Sequence, residues 1–280
     1  MLINGIGQPF TTDAYGYIVR MFNGEHISYA LGDASNAYCG ISNVRLWKQS
    51  FEKYKLEQSP KNGFGETPLK KFRRHIFLLH PNKVLIYDEL EAGEEVRWDW
   101  LLHSPVKFDI DESTSTLVTV NKEKHFASVA QLFCEQKSNI TQTDKYATPP
   151  NEWDAQRGED FTNPWSLTAS FGPCKKNRIL TIIQIETIDE KAANIVRNGN
   201  KFQCGEWTIE AELNSKQNAS LYIHNTVNKA TFSYGKKKVD NNGKTYQCKK
   251  DDASTLFDQI NGKWTTLEMS DQQIQTMGKW

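Results

Sequence analysis

Asp33 and His103 are the two side chains of this chain whose type and surroundings best suit a divalent metal. Asp33 lies in Gly32-Asp33-Ala34-Ser35-Asn36-Ala37-Tyr38, and His103 ends Trp98-Asp99-Trp100-Leu101-Leu102-His103. Each sits beside a run that alternates like a sheet strand. Zinc prefers four N, O or S ligands, with His nitrogens at about 2.0–2.1 Å, so two protein ligands alone would hold it weakly. Asp33 after a glycine equally suits an Asx-turn at a strand end. His103, ahead of Ser104-Pro105, equally suits a polar strand terminus. His75 and His80 are rival ligands near another strand end; His26, His125 and His224 have no supporting spacing.

A second kind of chemistry is contact with a sugar. Trp153, Arg157 and Trp165 lie in or just after the long segment 146–164. Aromatic rings offer stacking faces, and a guanidinium can grip a carboxylate or sulfate bidentately. The competing reading is that Trp153 and Trp165 pin a long loop to the body. Arg73, Arg74 and Arg97 are further basic candidates, although Arg97 shares a strand face with Asp99 and an exposed ion pair is the simpler account. Asp109, Asp111 and Glu112 lack the spacing and glycine of an EF-hand loop and read as a solvated turn.

The elements that would position these residues have a period of two almost throughout. In 95–103, Val96, Trp98, Trp100 and Leu102 share a core face, and Glu95, Arg97, Asp99, Leu101 and His103 share a wetter one. Strands are expected over 17–22, 26–31, 43–48, 71–79, 83–90, 95–103, 116–121, 125–134 and 138–143. Later strands are expected over 166–172, 178–187, 207–213, 219–225, 230–234 and 263–269. Punctuation such as His80-Pro81-Asn82, Glu91-Ala92-Gly93 and Asp240-Asn241-Asn242-Gly243 separates them. The stretch 49–69 reads as a projecting loop, 189–197 hints at a short helix, and Lys236–Lys238 reads as a solvated turn. The fold class is all-β: a large antiparallel β-sandwich over 1–187, followed by a smaller C-terminal β unit over 188–280.

Bulk properties narrow the functions. Thirty-four basic and thirty-four acidic residues cancel, so no basic excess points to nucleic acid. No apolar run approaches the roughly 20 residues of a membrane span. The N-terminus lacks the pattern of a secretory signal. Cys39, Cys134, Cys174, Cys204 and Cys248 are an odd set without a CxxC pair, and they read as buried thiols rather than a disulfide framework or a zinc site.

Four segments together carry a family resemblance. They are Leu2-Ile3-Asn4-Gly5-Ile6-Gly7-Gln8, then Gly32–Tyr38, then Arg73–Leu90, then Trp100-Leu101-Leu102-His103. In that order they resemble the C-terminal β-sandwich part of the heparinase II/III family of polysaccharide lyases, over about residues 1–190. The resemblance implies β-elimination on a uronate-containing polysaccharide, such as heparin, heparan sulfate or alginate. It also implies a periplasmic or secreted parent enzyme. In the family an N-terminal α/α toroid supplies most catalytic groups, so no catalytic residue is assigned here and the chain alone is expected to be inactive. The family's metal, usually zinc, would use Asp33 and His103, with its remaining His expected upstream of Met1. Because the chain begins inside a strand, it reads as the β half of a larger enzyme, self-associating through the surface that would face the toroid. The other open reading is a stand-alone carbohydrate-binding sandwich without catalysis; a lipocalin-type barrel fits less well, since the strands are too many and the loops too long.

Overall fold

In the computed structural model, which describes residues 1–38, 40–145, 163–241 and 243–271, the chain builds two stacked antiparallel sheets. The first uses β1 (Leu2–Ile3), β2 (Tyr17–Asn23), β3 (Ile27–Asp33), β4 (Leu69–Leu79), β5 (Lys83–Ser104), β6 (Asp109–Asp111), β7 (Thr116–Asn121), β8 (Phe126–Phe133), β9 (Asn139–Thr143) and β10 (Trp165–Thr187). Their order is β2-β3-β4-β5-β10-β8-β7-β6, with β1 added to β5 and β9 to β10. The second sheet is formed by β11 (Ile195–Asn198), β12 (Lys201–Cys204), β13 (Trp207–Ala211), β14 (Leu221–Asn225) and β15 (Thr231–Tyr234), followed, after the small hairpin of β16 (Lys238–Asn241) and β17 (Lys244–Gln247), by β18 (Ser254–Ile260) and β19 (Lys263–Met269). The class is all-β, as its alternation indicates.

The passage between sheets falls between Thr187 and Ile195, yet the sheets share one core. Tyr29, Phe77, Tyr87 and Ile182 of the first pack with Phe202, Ile209, Ile223 and Phe232 of the second. Rings carry the contact: the Tyr29 centroid lies 4.7 Å from Phe77 and 4.5 Å from Phe232. A second core lies among Phe72, Leu90, Val96, Trp98, Trp100, Leu167 and Phe171. Beside it, on the outer face of the large sheet, Ile18, Met21, Ile76 and Leu78 are exposed.

Several expected elements differ from the observed ones, each for a physical reason. Glu91-Ala92-Gly93 does not end a strand but lies within the 22-residue β5, because β10 runs beside it and takes up the irregularity in register shifts at Cys174. Gly172 permits this bend: its φ is +103°, and a Cβ there would meet the Val96 carbonyl oxygen at 2.8 Å. The expected strand at 43–48 and the start of the loop at 49–69 are instead α1 (Arg45–Lys53). Six residues were too few to separate a period of two from 3.6. The helical spacing emerges only when Trp47 is read with Phe51, whose rings lie 6.3 Å apart. The helix hinted at 189–197 is absent; Ile195–Asn198 is strand, turned by Gly199-Asn200 between the paired Asn198 and Lys201, with Gly199 at φ +60°. Lys236–Lys238 is not wholly a turn, since Lys238 opens β16. Likewise Asp109–Asp111 is the edge strand β6, with only the following residues turning.

One hairpin ties the sheets together at an end. Gly24 and His26 stand in the β2–β3 turn against Asp258 of β18, and a Cβ on Gly24 would lie 2.7 Å from the Asp258 Cγ. Gly24→Ala is therefore expected to displace that turn and lower the thermal midpoint, whereas Gly32→Ala, whose Cβ would meet nothing nearer than 3.8 Å and whose φ is not positive, serves as the control. Equal midpoints for the two variants would contradict the close approach.

Candidate functional site

Period two places residues 29, 31 and 33 of β3, 73, 75 and 77 of β4, and 85, 87 and 89 of β5 on the face that meets the second sheet. Toward one end of the sandwich this face becomes polar. Tyr17 pairs with Asp33, Asp33 with Arg73, Arg73 with Glu89, and Glu89 with Arg178. Five neighbouring strands thus present a tyrosine, two carboxylates and two guanidinium groups in one row, about 19 Å long at about 4.8 Å per strand. Beside Tyr17 stands Tyr15, exposed, with ring centroids 6.3 Å apart and planes 22° from parallel.

The second sheet closes on this row through charged hydrogen bonds. Asp271 accepts from Arg73 Nη2 at 2.6 Å and from Arg20 Nε at 2.8 Å. Arg178 donates to the Asn214 and Gln217 carbonyls at 2.8 and 2.6 Å. Glu89, almost wholly buried, accepts from Tyr234 Oη at 2.8 Å, from His75 Nε2 at 3.0 Å and from Lys71 Nζ at 2.6 Å. On the other side of the His75 ring, Nδ1 lies 3.0 Å from Tyr29 Oη, which lies 3.2 Å from Ser254 Oγ. Arg20 Nη1 donates to that same Ser254 oxygen at 3.1 Å.

One proton arrangement satisfies every member. Arg20 donates to Ser254, Ser254 to Tyr29, Tyr29 to Nδ1 of a neutral His75, and Nε2–H to a Glu89 carboxylate. Such a run, each donor polarising the next, is cooperative in a low-dielectric interior. Burial opposes ionisation of Glu89, but the His75 and Lys71 partners overcome it and hold the carboxyl well below its ordinary range. Burial also dominates at His75, keeping its imidazolium form disfavoured, and it pushes the Tyr29 and Tyr234 hydroxyls far up. The network is thus fixed in charge near neutral pH: one buried anion, neutral rings and flanking cations.

The sequence-derived candidates fall in different places. Asp33 closes an Asx-turn by accepting the Ser35 N–H at 3.0 Å, and it lies 3.8 Å from Arg73 Nε. His103 is exposed on β5 opposite Ser166, fourteen residues beyond the Glu89 that registers with Asp33 through Arg73. The structure sets Asp33 beside Arg73. Among the described residues no group of three or more His, Cys, Asp or Glu is arranged to hold a metal. With a guanidinium already beside Asp33, this donor set does not fit zinc by itself, and no chemical step is drawn through one. His75 is consumed by Glu89 and Tyr29, and His80 Nε2 lies 3.1 Å from Ser28 Oγ.

Trp153 and Arg157 lie outside the described residues. Trp165 is half-buried at the start of β10, packs against the second core, and has Lys107 Nζ 5.2 Å from its ring centroid. Arg74 grips the buried Asp88 with two bonds of 2.7 and 2.8 Å. Arg97 grips Asp99 similarly at 2.8 and 3.0 Å, but Asp99 is buried rather than wet because Ser170 also donates to it at 2.7 Å. The four described cysteines are free: Cys204 and Cys248 are buried, Cys134 and Cys174 partly so. Burial pushes the Cys204 thiol up to about 11.

Sequence reasoning passed over Glu89, Tyr29, Tyr234, Lys71 and Arg178. A signal was present: Lys71, Arg73 and His75 alternate in step with Phe77 and Leu79, so a core-facing stripe carries charge. Such a stripe must be met by buried partners.

No protein-family model and no curated protein matches this chain. Solved structures do. A heparinase III with methylated lysines matches at 9% identity over 78% of this chain, with a TM-score of 0.49. The heparan sulfate lyase HepC from Pedobacter heparinus matches at 6% identity over 83%, with a TM-score of 0.44. A further heparinase III matches at 11% identity over 84%, also with a TM-score of 0.44. The chain spans 27% of the length of each of these neighbours. No helix among the described residues is long and apolar enough to cross a membrane.

Proposed function

We propose that this chain is the β-sandwich portion of a polysaccharide lyase that cleaves uronate-containing polymers, of the heparin/heparan sulfate or alginate type, by β-elimination. One observation carries the reading. Of the four segments of the family resemblance, Gly32-Asp33 on β3, Arg73 and Arg74 on β4 and Asp88 and Glu89 on β5 pair directly, and Leu2-Ile3 on β1 pair with Trp98 and Asp99, just ahead of the fourth segment.

Elimination removes the weakly acidic C5 proton of the uronate, forms the C4–C5 double bond and expels the C4 oxygen, which takes up a proton. A base, an acid and a group neutralising the carboxylate must converge on one ring. Among the described residues the strongest acid–base candidates, His75, Glu89 and Tyr234, are locked together in the core. On this reading the reacting groups come from the rest of the enzyme, and the sandwich contributes a wall. Zinc at Asp33 and His103 belongs to this reading only with further ligands from elsewhere.

The test uses the chain alone with heparan sulfate and with alginate. The expected result is measurable binding to at least one polymer without ultraviolet-absorbing unsaturated uronate. Absence of binding to both would remove the lyase reading; unsaturated product from the chain alone would overturn the assignment of chemistry to other residues.

A further inference from the structure

At the Glu89–Arg178 end of the polar row the two sheets part around a cavity of about 430 Å³, within the roughly 300–1,000 Å³ usual for small-molecule sites. Its floor is Lys71, Glu89 and Tyr234, one wall is the 176–178 stretch of β10, and the other is the 215–219 loop, with Asp251 and Asp252 completing the rim.

The lining balances in charge. Lys71, Lys176, Arg178 and Lys216 are met by Glu89, Glu91, Asp251 and Asp252, and most of these charges are already engaged within the protein. Lys71 is bonded to Glu89, Lys176 lies 3.2 Å from Glu91, Asp251 lies 3.4 Å from Lys237, and Arg178 is spent on backbone carbonyls. A polyanion gains little from such a wall, because Lys71 and Lys176 each bring an anion with them and Arg178 is already held by carbonyls. A hydroxyl donates and accepts at once, so it can insert beside either sign, and Ser215, Gln217 and Asn218 add neutral polar groups.

The loop wall is also held in place before any ligand arrives. Arg178 fastens the Asn214 and Gln217 carbonyls, Tyr87 Oη donates to the Glu212 carbonyl at 2.7 Å, and Asn214 Oδ1 accepts the Lys216 N–H at 2.9 Å. Loop-ordering entropy is thus already spent, which favours binding.

We propose that this intersheet cavity binds an uncharged, hydroxyl-rich saccharide unit. It is a carbohydrate site formed wholly by this chain, and it stands whether or not the lyase reading does. The experiment titrates the full chain with maltotriose, chitotriose and a heparin tetrasaccharide while backbone amide shifts are followed by NMR. Saturable shifts confined to residues 212–219 and 250–253 with a neutral trisaccharide are expected. Ser215→Trp, which fills the mouth, should abolish them with an unchanged melting temperature, and Gln217→Ala should weaken binding about tenfold. The proposal falls if neither neutral probe shifts those amides, if only the heparin fragment does, or if Ser215→Trp binds as the parent does. Because the lyase reading is measured on acidic polymers, either can fail without the other.

Discussion

Asp258→Ala is expected to cost about 3–5 kcal/mol of folding stability, as much as truncating a large core side chain. Asp258 is fully buried on β18. Its Oδ2 accepts the backbone N–H of His26 at 2.9 Å and of Ile27 at 2.8 Å. Its Oδ1 accepts from His26 Nδ1 at 2.6 Å and from its neighbour Gln259 N at 2.7 Å. Alanine would strand these donors beneath the Trp264 indole that stacks on His26, and each unsatisfied buried N–H costs about 1–3 kcal/mol. Asp258→Asn keeps one acceptor oxygen but turns an amide N–H toward donors, so its loss should be intermediate. Urea denaturation reads both: the midpoint should fall in the order parent, Asn, Ala, with the slope unchanged. Amide exchange at His26 and Ile27 should accelerate more than in the core strands, because the β2–β3 turn loses its anchor first. A loss under about 1 kcal/mol for the alanine variant would mean that water replaces the carboxylate, and the turn would not be the latch between sheets.

The same residues show what sequence can and cannot disclose. The alternation of Val96, Trp98 and Trp100 marks the core face of β5, and all three are buried. Strand β18 gave no such signal: Ser254–Phe257 are buried on both faces, so its pattern has no period to find. The length of β5 was hidden for a related reason. A glycine and two glutamates look like a turn until a partner strand supplies the hydrogen bonds that keep them extended.

The site was legible in kind but not in membership. Asp33 and Arg73 were singled out, and they are cross-strand neighbours. Tyr234 and Arg20 could not be, because Tyr234 reaches Glu89 across 145 positions and Arg20 reaches Ser254 across 234. Local pattern carries register within a hairpin; it carries nothing about which sheet will lie opposite. His103 illustrates the converse, since its strand and exposure follow from the alternation, whereas its place on one continuous β5 depends on the partner strand β10.

Acidification from pH 7 to about pH 2 is expected to destabilise the sandwich in two stages, and Glu89→Leu should shrink the lower one, to which the depressed Asp271 carboxyl also contributes, while costing about 3–5 kcal/mol at pH 7. His75 is held neutral by burial, so its folded pKa lies below the unfolded value of about 6.5. Its contribution is fully present above that pH and declines below it, because the unfolded chain takes up the proton first. Glu89 is held ionised, so its folded pKa lies below the unfolded value of about 4.3. Its contribution is present above that value and is lost as pH falls further toward the folded pKa. Both shifts therefore make stability rise with pH, each with a limiting slope of about 1.4 kcal/mol per unit for one proton. His75→Phe separates them. It takes the His75 share out of the upper step, which His224 also feeds, and shrinks the lower by removing a partner that holds Glu89 ionised. It weakens the protein at every pH by taking the acceptor from Tyr29 and one of two donors from Glu89 Oε1. Denaturant titrations at half-unit intervals for the parent and both variants give the curves. If the parent's stability is flat between pH 7 and 5, or unaltered in shape by His75→Phe, then His75 is not the neutral link between Tyr29 and Glu89, and the donor run from Arg20 to the buried carboxylate does not exist in solution.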